Sequence, residues 1–212
     1  MKAIRVGLTL DQADTEKLEK IVGSRGCNRA IRVYLRIAFQ TPQYQEIQKL
    51  NSNSVVPREV RLYRRSVQDI DKWIKETKQR VTPRPKLNRS LLVRWACREL
   101  LQQLEKRGVE SQPKVRLGIY FPVGTQEKLD KLIPLSDRSE TIEQFLINCY
   151  ESPEEFRQGM ESLEASEQIQ LSLRQDVIDK FDEMADSKGV SRTYVIRHVV
   201  HELILFIKGR KI

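Results

Sequence analysis

The chain has 212 residues, of which 39% are hydrophobic and 32% are charged, a composition that indicates a folded globular protein and excludes a disordered one. No apolar stretch approaches the roughly 20 residues that a membrane-spanning helix needs. The first ten residues alternate too regularly for a signal peptide, so we expect a cytoplasmic protein.

The net charge of +9 is distributed unevenly along the chain. Residues 1–107 contain 24 Lys and Arg against 11 Asp and Glu, whereas residues 108–212 contain 14 against 18. Basic side chains supply most of the sequence-independent attraction to nucleic-acid phosphates. The first half is therefore expected to dominate any such attraction, and a solvated basic surface is the alternative.

The first predicted segment covers about residues 4–40. Its strand alternates, with apolar residues inward and Arg5, Gly7 and Thr9 outward. A helix follows from about Gln12 to Ile21, then a turn, and a second apolar helix whose expected N-cap is Asn28, followed by Arg29.

The second segment follows a polar linker over residues 41–57, whose sequence is compatible with a short helix. The strand from Arg58 points Glu59, Arg61 and Tyr63 outward. Helical spacing then predicts a helix around residues 67–74 and a second from Asn88, the expected N-cap, and Arg89.

The third segment begins at Lys114 and directs Arg116, Gly118 and Tyr120 outward. Pro122 is expected in the first turn of a short helix. The second helix starts at Asp137, where Asp137 and Glu140 suggest a capping box whose carboxylates would compete with a phosphate. An acidic linker covers residues 151–167.

The fourth segment shows the pattern most fully. Its strand directs Gln168, Gln170 and Ser172 outward, and a helix with apolar residues from Val177 to Ala185 ends near Gly189. Ser191 is the expected N-cap of the last helix, followed by Arg192.

The four segments share one arrangement, which predicts an internal repeat. In each, an arginine follows the last apolar strand residue by 17 to 27 positions, with a capping residue directly before it and a small residue directly after it. The four arginines are Arg29, Arg89, Arg138 and Arg192, and the small residues after them are Ala30, Ser90, Ser139 and Thr193.

This order and spacing resemble the ribbon–helix–helix family of DNA-binding proteins, of the Arc/MetJ type. The resemblance implies that two repeats pair their strands into an antiparallel ribbon that enters the major groove of double-stranded DNA. The implied base-reading residues are Arg5, Gly7, Thr9, Glu59, Arg61, Tyr63, Arg116, Gly118, Tyr120, Gln168, Gln170 and Ser172. The implied phosphate clamps at second-helix starts are Asn28, Arg29, Asn88, Arg89, Ser191 and Arg192.

The connection lengths favour a particular pairing of the repeats. About 18 residues join the first repeat to the second, and the third to the fourth, whereas only about six join the second to the third. We therefore expect a mainly α fold with short strands, in which two intrachain pseudo-dimers occupy residues 1–107 (repeats about 4–40 and 58–107) and residues 108–212 (repeats about 114–150 and 168–207). Pairing across two chains is the alternative.

No set of residues predicts catalysis, a cofactor or a bound metal. His198 and His201 lie three apart, and packed or surface histidines are favoured over a metal site because no further ligand is evident. The three cysteines lack CxxC spacing and indicate reduced structural thiols. We expect a protein that is not an enzyme.

The expected function is sequence-specific binding of double-stranded DNA as a transcriptional repressor. One alternative is a partition or relaxosome accessory protein of a plasmid or mobile element. Another is an interaction module in which the acidic residues 108–212 provide self-association while the basic half anchors the complex to DNA. No contact with a membrane is expected.

Overall fold

The computed structural model describes residues 3–39, 42–48, 50, 54–83, 85–108, 113–154 and 165–209. The fold is mainly helical with short antiparallel two-stranded sheets, as predicted. The chain divides into two compact units, which we call the N-terminal unit (residues 2–110) and the C-terminal unit (from residue 111). The acidic linker lies partly outside the described residues.

The N-terminal unit contains two strands and five helices among its described residues. They are β1 (Ala3–Asp11), α1 (Gln12–Val22), α2 (Ser24–Ile37), α3 (Tyr44–Gln48), β2 (Val55–Tyr63), α4 (Arg64–Arg80) and α5 (Arg89–Lys106). β1 and β2 pair antiparallel as the first ribbon. One face of this ribbon is buried, because its alternating Val and Leu side chains join the apolar faces of α2 and α5 in one core.

The C-terminal unit follows a similar order, with a 3-10 turn before its second helix and no counterpart of α3 among the described residues. It comprises β3 (Lys114–Pro122), α6 (Thr125–Leu132), a 3-10 turn (Leu135–Asp137), α7 (Arg138–Asn148), β4 (Ser166–Arg174), α8 (Gln175–Lys188) and α9 (Arg192–Gly209). β3 and β4 pair antiparallel as the second ribbon. Ile119, Phe121, Ile169, Leu171 and Leu173 are buried beneath it.

Three predicted boundaries are wrong. α2 begins at Ser24, four residues before Asn28. The reason is Gly23, whose φ of 76° ends α1 and whose carbonyl oxygen accepts the first hydrogen bonds of α2. β2 begins at Val55 instead of Arg58, since all nine residues of β1 find partners. Pro122 ends β3, and α6 begins only after Gly124, whose φ is 84°.

The helix caps of the second and fourth segments are confirmed. Asn88 Oδ1 accepts from Leu91 N at 2.9 Å, and Ser191 Oγ accepts from Tyr194 N at 3.2 Å. Gly189 closes α8 with a φ of 65°. The capping box of the third segment is wrong, because Asp137 makes no side-chain cap bond and Glu140 pairs with charges on the second ribbon.

Among the helices that the structure describes, none combines the length and the hydropathy that a bilayer crossing requires.

Candidate nucleic-acid interface

The outward face of the first ribbon consists of three cross-strand rows. Arg5 lies opposite Arg61, Gly7 opposite Glu59, and Thr9 opposite Pro57. All six residues are exposed. The first-ribbon residues that we predicted to contact bases, except Tyr63, therefore share one solvent-facing surface. The charged side chains lie in the first two rows, whereas the third row, Thr9 and Pro57, is neutral.

Tyr63 does not belong to this surface. Only 1% of it is exposed, and the guanidinium carbons of Arg32 and Arg36 lie 5.7 and 4.8 Å from the centre of its ring. The prediction that Tyr63 contacts bases is wrong. The strand's alternation stops where the chain enters α4, so Leu62 and Tyr63 are both buried.

Glu59 forms an ion pair across the first ribbon. Its Oε1 lies 3.4 Å from Arg5 Nε, and both side chains are more than half exposed. Such a pair contributes about 0 to 1 kcal/mol in water. A guanine that offers two acceptors could therefore displace Glu59 from Arg5 at little cost.

The second ribbon has the same three rows with different chemistry. Arg116 lies opposite Ser172, Gly118 opposite Gln170, and Tyr120 opposite Gln168. Ser172 is half-buried and the other five are exposed. A Cβ on Gly118 would collide with the side-chain amides of Gln168 and Gln170. The glycine thus provides the space that these two amides occupy.

The arginines at three second-helix starts form ion pairs with the preceding helix. Arg89 donates to both carboxylate oxygens of Asp71 at 2.6 Å, and Arg192 Nη1 donates to Asp182 at 3.0 Å. The buried Arg138 pairs with Asp130 in the same way. The hydrogen bond from Arg89 holds the pKa of Asp71 below its usual range. The shared arginine therefore stabilises the packing of one helix on the next.

The exposed helix starts retain backbone donors for phosphate. With Asn88 and Ser191 capping the third N–H of their helices, the first two N–H groups of α5 and α9 have no intrahelical acceptor. The predicted clamp at Asn28 and Arg29 is wrong in position, since both lie inside α2 and the free helix start is at Ser24.

Two serines that we had not assigned to the site hold the ribbons in place. Ser90 Oγ accepts from Thr9 N at 3.0 Å, and Ser139 Oγ accepts from Ser172 N at 2.9 Å. Each serine follows a shared arginine and contacts the strand contributed by the other strand–helix–helix segment of its unit. In the sequence, the small residue directly after each repeated arginine was the feature that could have indicated this contact with the strand.

Part of the fourth segment matches a known protein family. Residues 167–205 match the family described as ribbon-helix-helix protein, copG family. The match covers β4, α8 and most of α9, so it supports the ribbon–helix–helix resemblance and favours a DNA-binding regulator in general terms. No match was found among curated proteins or among solved structures.

A buried charge cluster lies where the second ribbon packs on α7. Arg174 Nη1 pairs with Glu143 and lies 3.5 Å from Glu140, and all three side chains are at most 5% exposed. Lys114 Nζ lies 3.6 Å from the second oxygen of Glu140. Burial, together with the neighbouring Glu140, raises the pKa of Glu143 to about 7.

The two histidines within residues 167–205 differ in their surroundings. His198 Nδ1 lies 2.9 Å from the Tyr150 hydroxyl, whereas His201 is exposed. Within the described residues, no three metal-ligating side chains converge. The cysteines are free thiols, and burial raises the pKa of Cys27 to about 11.

Proposed function

We propose that the chain is a sequence-specific double-stranded DNA-binding repressor that acts by binding and not by catalysis. The observation that carries this proposal is the two-sided character of both ribbons. Each buries a hydrophobic face on helices and presents polar side chains, with at least one arginine, to solvent. A two-stranded ribbon fits the major groove, which is about 12 Å wide.

We also propose that the chain consists of four tandem ribbon–helix–helix repeats folded as two intrachain pseudo-dimers. Two features support this arrangement. Both ribbons consist of nine cross-strand pairs, with a glycine opposite a longer polar residue in the central pair. In both, a serine at the start of a second helix accepts from an outward strand residue. Only the fourth segment matches the family by sequence, so the other three are assigned by this structural correspondence.

The chemistry of the outward face defines how bases would be read. Arg5, Arg61 and Arg116 can each donate two hydrogen bonds to guanine, while Gln168 and Gln170 can form bidentate pairs with adenine. The helix starts at Arg89 and Arg192 would fix the register by donating backbone N–H groups to phosphates. The two ribbons would then bind nonidentical sequences.

A titration of the intact chain against DNA from around its own gene tests this function. We expect tighter binding to that DNA than to a scrambled duplex, with affinity falling steeply as salt rises. Arg61→Ala should reduce the preference. Arg80→Ala is the matched control, because this exposed arginine ends α4, about 25 Å along the helix from the ribbon. Equal affinity for both duplexes would reject the proposal.

A second candidate is favoured by the acidity of residues 108–212, which contain 14 Lys and Arg against 18 Asp and Glu. In it, the C-terminal unit is an assembly surface and the N-terminal unit alone binds DNA. Arg116→Ala distinguishes the two candidates. A loss of DNA preference supports reading by both ribbons, and unchanged preference supports the assembly role.

A further inference from the structure

A cavity of about 300 Å³ lies in the C-terminal unit, between the end of β3, α6 and α9. Half of the residues that line it are apolar, and they are Phe121, Pro122, Val200, Ile204 and Leu205. Phe121, Val200 and Ile204 are buried. The hydroxyl of Thr125, which also lines the cavity, donates to the Pro122 carbonyl oxygen at 2.7 Å. The cavity therefore offers a hydrophobic surface to an apolar group.

Cationic side chains share this lining. α9 contributes Arg197, His201 and Lys208, which lie along one side of the helix because they recur at intervals of four and seven residues. α6, which packs on α9, contributes Lys128. Among the lining residues that the structure describes there is no carboxylate, and Glu127, next to Lys128, forms its ion pair within α6. The cavity is therefore positively charged, although residues 108–212 as a whole are acidic.

Arg197 joins the cavity to the second ribbon. Its Nε donates to the carbonyl oxygen of Tyr120 at 2.6 Å, so α9 is held against β3 at this point. Partial burial lowers the pKa of Arg197 from its ordinary value, because the guanidinium loses part of its hydration. An anion that entered the cavity would offset this lost hydration with charge-assisted hydrogen bonds.

We propose that the cavity binds a small amphiphilic carboxylate, with its hydrocarbon part on the apolar lining and its carboxylate among Lys128, Arg197 and Lys208. A volume of 300 Å³ equals that of about ten water molecules, so it suits a ligand of about ten non-hydrogen atoms. Octanoate has about this size. Contact with a DNA phosphate would account for the cations but not for the hydrophobic lining, because a phosphate has no hydrocarbon part.

Calorimetric titration of the intact chain with octanoate tests this proposal. We expect saturable binding at one site, weakened about fourfold for each CH₂ group that is removed in heptanoate and hexanoate. Octan-1-ol has the same chain without the charge and should bind about tenfold more weakly than octanoate. Inorganic phosphate should not displace octanoate. No saturable binding, affinity independent of chain length, or displacement by phosphate would each overturn the proposal.

Lysine variants link the binding to this cavity. Lys128→Met and Lys208→Met remove the charge from exposed side chains and should each weaken octanoate binding about threefold, while leaving octan-1-ol binding unchanged. Lys180→Met, an exposed lysine of α8 outside the lining, is the matched control and should change neither. Unchanged octanoate affinity in both lining variants would place the ligand elsewhere. These titrations contain no DNA, so their outcome is independent of the proposed DNA-binding function.

Discussion

The two ribbons share a backbone arrangement but differ in the chemistry that they present. The first has two arginines in one row and a glutamate in the central row, whereas the second has one arginine, a tyrosine and two glutamines. Their central pairs both contain a glycine, Gly7 or Gly118. The fold therefore fixes where a side chain is presented, and each strand is separately free to change which side chain is presented.

The ends of the ribbons differ as well. In the N-terminal unit the last residue of β2, Tyr63, is buried beneath two arginines, while in the C-terminal unit the last residue of β4, Arg174, is buried between two carboxylates. The buried end of the first ribbon thus contains an aromatic ring, which needs no counter-ion. The buried end of the second ribbon contains charges that must remain paired.

The largest effect is expected from breaking the buried pairing in the C-terminal unit. Arg174→Met leaves Glu140 and Glu143 buried without their arginine, and should lower the free energy of unfolding by about 3–5 kcal/mol. Chemical denaturation measures this. Arg116→Met, an exposed arginine on the same ribbon, is the control and should change stability by less than about 0.5 kcal/mol.

The next effect compares the outward faces of the two ribbons. Removing both Arg5 and Arg61 should weaken binding to DNA from around the chain's own gene by about 100-fold or more, while Arg116→Ala should cost about tenfold. Titrations at fixed salt give both values. Equal losses would show that the concentration of charge on the first ribbon does not determine affinity.

Titration of the buried cluster should give the C-terminal unit a distinct pH dependence. With a pKa raised to about 7, Glu143 binds a proton more readily in the folded than in the unfolded chain. Its contribution to stability therefore falls as pH rises from about 4.5 to 7. Thermal unfolding of wild type and Glu143→Gln across this range should show a slope difference of that sign. Parallel curves would contradict it.

The serine contacts should have a smaller and similar effect in both units. Ser90→Ala and Ser139→Ala each leave a strand N–H without its acceptor, which should cost about 1 kcal/mol. Ser152→Ala, at an exposed residue outside the helices and strands, serves as the comparison.

The smallest effect concerns Glu59. Glu59→Gln removes an exposed ion pair and should change stability by less than about 1 kcal/mol. It should also raise the affinity for scrambled DNA about threefold, since a negative charge on the reading face is lost. A decrease in that affinity would indicate that Glu59 itself contacts the DNA.

Local periodicity predicted the elements of this fold and the placement of most outward residues. Alternation placed Arg5, Gly7 and Thr9 outward because one ribbon face must be buried, and Asn88 and Ser191 were recognised as caps from their residue type and position. These features depend on neighbours in the sequence.

The errors occurred where distant contacts decide the local structure. Asn28 looked like a cap, but Gly23 allows α2 to start earlier, and Tyr63 continued an alternation that the arginines of α2 interrupt. The pairing of Arg89 with Asp71, 18 positions away, could not be read from either residue alone. Glu140 formed a plausible capping box until Arg174 and Lys114 supplied stronger partners.

Each ribbon pairs strands that belong to one polypeptide. A ribbon assembled from two separate chains forms in proportion to their concentration and comes apart on dilution. Here β1 meets β2 in a first-order folding step, so the outward face of the first ribbon persists even when a cell holds only a few molecules. The linker between the strands thus replaces protein abundance as the factor that keeps the ribbon intact.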